Sequence, residues 1–171
     1  MSLACLPGAA SASAATSSCP NATLVPSAAT LRQASDAVLC LINAARAQRG
    51  VPALRVSSLL TRAAAAHSAD MVRRHYFSHI TPGGLAPRQR VSRTGYLRKS
   101  RAGAVNETLA IGDGDLSTPS SLVRLLMQDL PHRRIVLGRS FRDVGLGLVL
   151  GYPIGGASAG GVTLTVDYGH R

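Results

Sequence analysis

The chain has no tryptophan, a single lysine (Lys99) and a single glutamate (Glu107). It also lacks any apolar run of the ~18 or more residues that would span a bilayer as a helix. No carboxylate follows His75 directly, so the helical His-Glu-x-x-His zinc signature is absent. No serine or cysteine lies in a recognisable nucleophile motif. Chemistry in this chain would therefore be metal- or acid–base-assisted rather than covalent. No internal repeat is present, and 171 residues suit one domain with a real core, expected to be monomeric.

Acidic residues are scarce as well. Eight Asp and Glu stand against 19 Lys and Arg, for a formal net charge of +11, nearly all of it arginine. Such a surface attracts polyanions. The arginines are spread along the chain, with no basic tract and no interleaved aromatics for stacking, which argues against nucleic acid. An anionic cell-wall polymer or lipid surface is the partner class that remains. The arginine excess can also follow from genomic base composition alone.

The first residues are small and apolar, and Ala12-Ser13-Ala14 has the small-x-small form of a secretory cleavage site. A positively charged start is missing, so residues 1–14 read as a truncated signal peptide, the alternative being an alanine-rich tail. Cleavage there removes Cys5 and leaves Cys19 and Cys40. In an exported protein that pair reads as a disulfide tying an N-terminal arm to the first helix, worth roughly 3 kcal/mol by loop entropy. Two separate buried thiols are the other reading.

Residues 15–29, rich in Ser, Thr, Pro and Asn, read as an extended arm, with the main domain over 30–171. Leu31, Ala34, Val38, Leu41 and Ala45 recur at helical steps, predicting a helix from about Thr30 to Gln48 that Gly50 and Pro52 end. A second helix is expected from Ser57 or Ser58 to His75. Residues 77–104 read as mostly loop, with a short helix over Pro87 to Thr94. Val105 to Ile111 has the look of a short strand or strand-like turn. Thr118-Pro119 starts a third helix through about Leu130, with a further turn over 132–137. Val144 to Leu150 and Val162 to Tyr168 form a hairpin with a glycine-rich connection. Helices before strands make the fold class α+β.

Four residues stand out as carriers of chemistry: His79, Glu107, Asp129 and His132. A lone glutamate inside an apolar turn of so basic a chain is poor surface decoration, although an ion pair with an arginine would also explain it. Asp129 and His132, three apart, can share a helix face. His67, on the apolar face of the second helix, is read as a structural histidine.

Order and company sharpen these candidates. Leu41 to Arg46 followed by Gly50 to Leu54, Ala63 to Met71, Tyr76 to His79, Gly95-Tyr96, Asn106 to Ala110 and Met127 to Arg133 stand in sequence. Asp143 to Gly147 and Thr165 to Gly169 close the series. Together they resemble the bacterial CAP superfamily (cysteine-rich secretory, antigen 5, pathogenesis-related; SCP-like extracellular domains) over about residues 36 to 170. The resemblance implies a three-layer α-β-α sandwich with a small antiparallel sheet, and a cleft with two histidines and one or two acids. By position these are His79, His132 and Glu107, with Asp129 at the place of the second acid. Asn106, Thr108 and Pro131 depart from the usual flanking residues, which affects the backbone around Glu107.

Two neutral imidazoles and a carboxylate suit zinc or another divalent metal. Ligand binding is thus expected at His79, Glu107 and His132, with His79 and His132 as metal ligands, in a non-enzymatic protein outside the cell or at its envelope. The alternatives are a metal-dependent or acid–base hydrolase of peptide or wall polymer, and an electrostatic envelope adaptor with a vestigial cleft.

Overall fold

The computed structural model describes residues 19–98, 102–155 and 161–171. The expected signal peptide over 1–14, the start of the arm at 15–18, Cys5 and Lys99 lie outside the described residues. The elements are α1 (Leu31–Ala47), β1 (Arg55–Val56), α2 (Ser58–Arg74), α3 (Pro87–Arg93), β2 (Ala104–Gly112), α4 (Pro119–Gln128), α5 (Leu130–Val136), β3 (Asp143–Leu150) and β4 (Val162–His170). A single 3-10 turn, Gly114–Ser117, precedes α4. No described helix is long and apolar enough to cross a membrane.

The strands form one sheet in the order β1-β3-β4-β2. β2 and β3 flank β4 antiparallel, while β1 pairs with β3 in parallel. The sheet is therefore mixed, a correction to the antiparallel sheet that the resemblance implied; β1 is two residues long and has no periodicity to betray it. The Val105–Ile111 segment is a full strand, paired along its length with β4. Glu107 accordingly sits in a sheet and not in a turn.

Helices cover both faces of the sheet. On one face α1, α4 and α5 bury Val38, Ile42, Leu122 and Leu126 against Val144, Leu146, Leu164 and Val166. On the other lie α2 and α3, with Leu60, Val91 and Tyr96 at their centre. The alternation of side chains along β4 divides the work: Val162, Leu164, Val166 and Tyr168 enter the larger core, leaving Thr163, Thr165 and Asp167 for the α2 side. Ser68 of α2 donates to Gly147 O (2.6 Å) and bonds Thr165 Oγ1 (2.7 Å) there.

Two glycines set how closely α2 approaches. A Cβ at Gly145 would overlap the backbone of Leu60 and Thr61, and one at Gly147 the backbone of Ala64. Helix and strand pack backbone on backbone at this point, which the alanines of α2 also permit.

The helix ends follow local chemistry. Thr118 caps α4, its hydroxyl accepting from Ser121 N at 3.3 Å, with Pro119 in the first turn. The expected third helix does not run through Leu130: Asp129 is the N-cap of a separate α5, its carboxylate accepting from His132 N at 3.0 Å. Asp129 and His132 therefore share a face as expected, but in the first turn of α5 and not at the end of the third helix.

Arg46 pins α1 to the rest of the domain. Its buried guanidinium donates to Pro52 O (2.8 Å), Val136 O (2.6 Å), Gly138 O (3.2 Å) and Phe141 O (3.2 Å). Asn43 makes a two-way bond with the backbone of Leu54 (2.8 and 3.2 Å). The Asn-x-x-Arg core of the first family segment is thus structural. Cys19 and Cys40 form a disulfide with a Cα–Cα distance of 5.7 Å, holding the arm on α1. Farther along, Ala22 O accepts from Ser120 N at 2.8 Å.

Candidate functional site

The site is built on Glu107, whose carboxylate is only 1 % exposed. β2 delivers it to the sheet face beneath α2 and α3, where three groups surround it. His79 Nδ1 donates to Glu107 Oε1 at 2.7 Å. Arg90 of α3 donates through Nη2 to Glu107 Oε2. His67 Nε2 lies 4.0 Å from Oε1.

His67 Nε2 also stands 3.0 Å from Ser78 O. A carbonyl only accepts, so Nε2 carries the hydrogen. Burial lowers the pKa of His67, against the smaller opposing pull of Glu107. It is a neutral, fully enclosed ring that ties α2 to the segment before His79. That is the structural part expected of it, though it is played beside the site's carboxylate.

Arg90 holds two further backbone groups, donating to His79 O (2.7 Å) and Leu85 O (2.9 Å). One guanidinium thus fixes the loop that carries His79 and neutralises the carboxylate behind it. His79 itself is 46 % exposed, so its ring runs from the buried carboxylate out to solvent.

Across from Glu107 in the β2–β4 register stands Asp167, 1 % exposed, with Oδ1 lacking any hydrogen-bond partner. Burial first, and the adjacent Glu107 charge second, raise its carboxyl well above the ordinary range. Sequence reasoning singled out neither Arg90 nor Asp167. One arginine among many gives no signal, but an aspartate in the apolar run Thr165–Tyr168 was a signal that could have been read.

His132, from the first turn of α5, brings its ring to 6.4 Å from that of His79, centroid to centroid, edge to face. Its Nδ1 lies 3.1 Å from Asp129 Oδ2, the same oxygen that caps α5. All four expected residues therefore meet, as two histidine–carboxylate pairs. Glu107 and Asp129 stand behind the rings and not between them. A cleft of about 340 Å³, lined by His79, Pro87, Val105, Asn106, Glu107 and Ile135 among others, opens beside the first pair; His132 and Asp129 do not line it. No group of three or more His, Cys, Asp or Glu among the described residues is placed to hold a metal ion together. A metal would have two imidazole nitrogens and water, leaving open coordination positions.

The chain belongs to the CAP family: the family model described as the cysteine-rich secretory protein family matches residues 39–168. A protein of Bacillus subtilis (strain 168), YkwD, is 30% identical over 112 residues, 66% of this chain and 41% of the relative. The chain thus spans less than half the length of that relative.

Among solved structures, an extracellular protein containing an SCP domain from Bacillus anthracis aligns with a TM-score of 0.64 at 19% identity, covering 85% of this chain and 44% of that one. An outer surface protein from Borrelia burgdorferi aligns with a TM-score of 0.63 at 15% identity, covering 78% and 90%. A cysteine-rich secretory protein from Staphylococcus aureus gives 0.56 at 13%, covering 85% and 40%. These likenesses establish the fold.

Proposed function

We propose that this chain is a binding module of the cell exterior or envelope whose cleft takes a divalent metal ion through Nε2 of His79 and His132. The supporting observation is the pairing of each ring with a carboxylate on its Nδ1 side, at 2.7 Å for His79 and 3.1 Å for His132. A carboxylate behind a histidine fixes its tautomer and turns Nε2 into the ligating atom, the usual outer shell of a zinc-bound imidazole. Glu107, already engaged by Arg90 and His79, orients a ligand and is not itself one. An exterior location is supported by the disulfide, which persists in oxidising compartments, and by relatives described as extracellular, outer-surface or secretory.

Isothermal titration with zinc tests the reading. Wild-type protein is expected to bind one ion, more weakly as the solution is acidified because protons compete for the imidazoles. His79→Ala and His132→Ala should each abolish binding with unchanged circular dichroism, and Glu107→Gln should weaken it. A wild type that binds no divalent ion, or variants that bind as well as it does, would refute the proposal.

A further inference from the structure

A second and larger cleft, about 630 Å³, lies between α2, α3 and the 81–85 loop. It shares no lining residue with the His79 cleft; Arg90 and the Glu107 beneath it separate the two. Its volume is within the range of small-molecule sites.

The lining has two characters. Five arginines, 62, 73, 74, 90 and 93, face one carboxylate, Asp70. Asp70 already pairs with Arg73, with Arg74 at 3.6 Å and with the Tyr76 hydroxyl at 2.8 Å, and Arg90 is spent on Glu107. Arg62 and Arg93 have no carboxylate partner among the described residues. Arg62 reaches Thr94 O at 3.5 Å, next to Arg93, so the two uncompensated charges share one end of the cleft.

The floor is apolar. Ala66 and Ala69 are exposed on α2 between Arg62 and Arg73, at helical spacing, and with Ala63 and Leu85 they line the same space. A solvent-facing helical stripe normally carries charge; here methyl groups occupy its middle and arginines its ends.

We propose that this cleft binds an anionic amphiphile, its carboxylate or phosphate head between Arg62 and Arg93 and its apolar part over the alanine stripe of α2. Arginine suits the head because its planar fork matches carboxylate and phosphate oxygens. The apolar part gains by covering surface that is otherwise wet. This site is independent of metal binding at His79 and His132.

Titration of the whole protein with decanoate, octanoate, hexanoate and decyl phosphate, each below its micelle concentration, tests the idea. One-to-one saturable binding is expected, weakening by about fourfold per buried methylene removed. Arg62→Ala and Arg93→Ala should each weaken binding on the order of tenfold. Ala66→Trp, which fills the cleft from an exposed helix position, should abolish it. Arg124→Ala, an exposed arginine of α4 outside the cleft, should change nothing. Decanol binding as tightly as decanoate, indifference to Arg62→Ala and Arg93→Ala together, or inorganic phosphate binding as tightly as decyl phosphate would each overturn the proposal. So would attachment to anionic vesicles with no binding of the dispersed amphiphiles, which would mark a surface effect of net charge.

Discussion

Glu107 and Asp167 face each other across the β2–β4 ladder, both buried, one paired with Arg90 and the other with its carboxyl pushed well above the ordinary range by burial and by its neighbour's charge. Two carboxyl groups at one enclosed spot cannot both ionise cheaply, and the ion pair with Arg90 assigns the charge to Glu107.

Asp167 therefore makes stability depend on pH. Its folded pKa is raised, so its contribution is fully present below the unfolded value of ~3.9 and is lost as pH rises toward the folded value. Asp167→Asn keeps a donor beside Glu107 without the ionisable group. The variant should unfold at higher denaturant concentration than wild type at pH 7 and match it near pH 3. Equal midpoints at both pH values would show that Asp167 ionises freely.

His67 works in the opposite direction. Its folded pKa is lowered, so the stability it contributes is present above the unfolded value of ~6.5 and lost as pH falls through it. Wild type should lose stability between pH 7 and pH 5, and His67→Gln should flatten that slope while lowering stability at pH 7. Urea unfolding at the two pH values reads both effects.

Arg46→Ala should destabilise the domain by about 3 kcal/mol, because four carbonyl acceptors, those of Val136 and Phe141 in fully buried bonds, lose their donor at once. Arg46→Lys should recover little, since an ammonium lacks the planar fork that reaches them. Chemical denaturation of both variants measures the difference.

The excess of arginine should draw the protein to anionic vesicles or acidic wall polymer at low salt. Sedimentation assays should find that attraction fading by 0.15 M salt, where the Debye length is ~8 Å. Attachment that salt does not alter would indicate recognition by shape and hydrogen bonds.

Much of this was legible in the sequence because the signals were local. Thr118-Pro119 marks a helix start, Gly50 and Pro52 mark an end, and the alternating run from Val162 announces a strand. His79, Glu107 and His132 were found through the order of short motifs. What stayed hidden depends on chain segments far apart in sequence. Nothing near Asp167 says that a glutamate lies opposite it, and nothing near Arg90 says which carboxylate it serves. The short edge strand β1 has too few residues to carry a pattern. The break between α4 and α5 was readable in principle, since Asp129-Leu130-Pro131 is itself a cap followed by an N-terminal proline.

The contact of α2 with Gly145 and Gly147 makes the height of that helix above the sheet a mechanical setting for the larger cleft and for the surroundings of Glu107. His67, Asp70 and the alanine stripe all ride on α2, while Glu107 and Asp167 are anchored in the sheet below it. A methyl group at Gly147 would lift the helix away from its strand like a shim under a hinge plate. The gap between His67 and Glu107 would widen and water would reach the carboxyl pair. The larger cleft would change its depth in the same movement, so one hydrogen atom on β3 bears at once on that cleft and on the carboxyl pair, which Arg90 and His67 join to it.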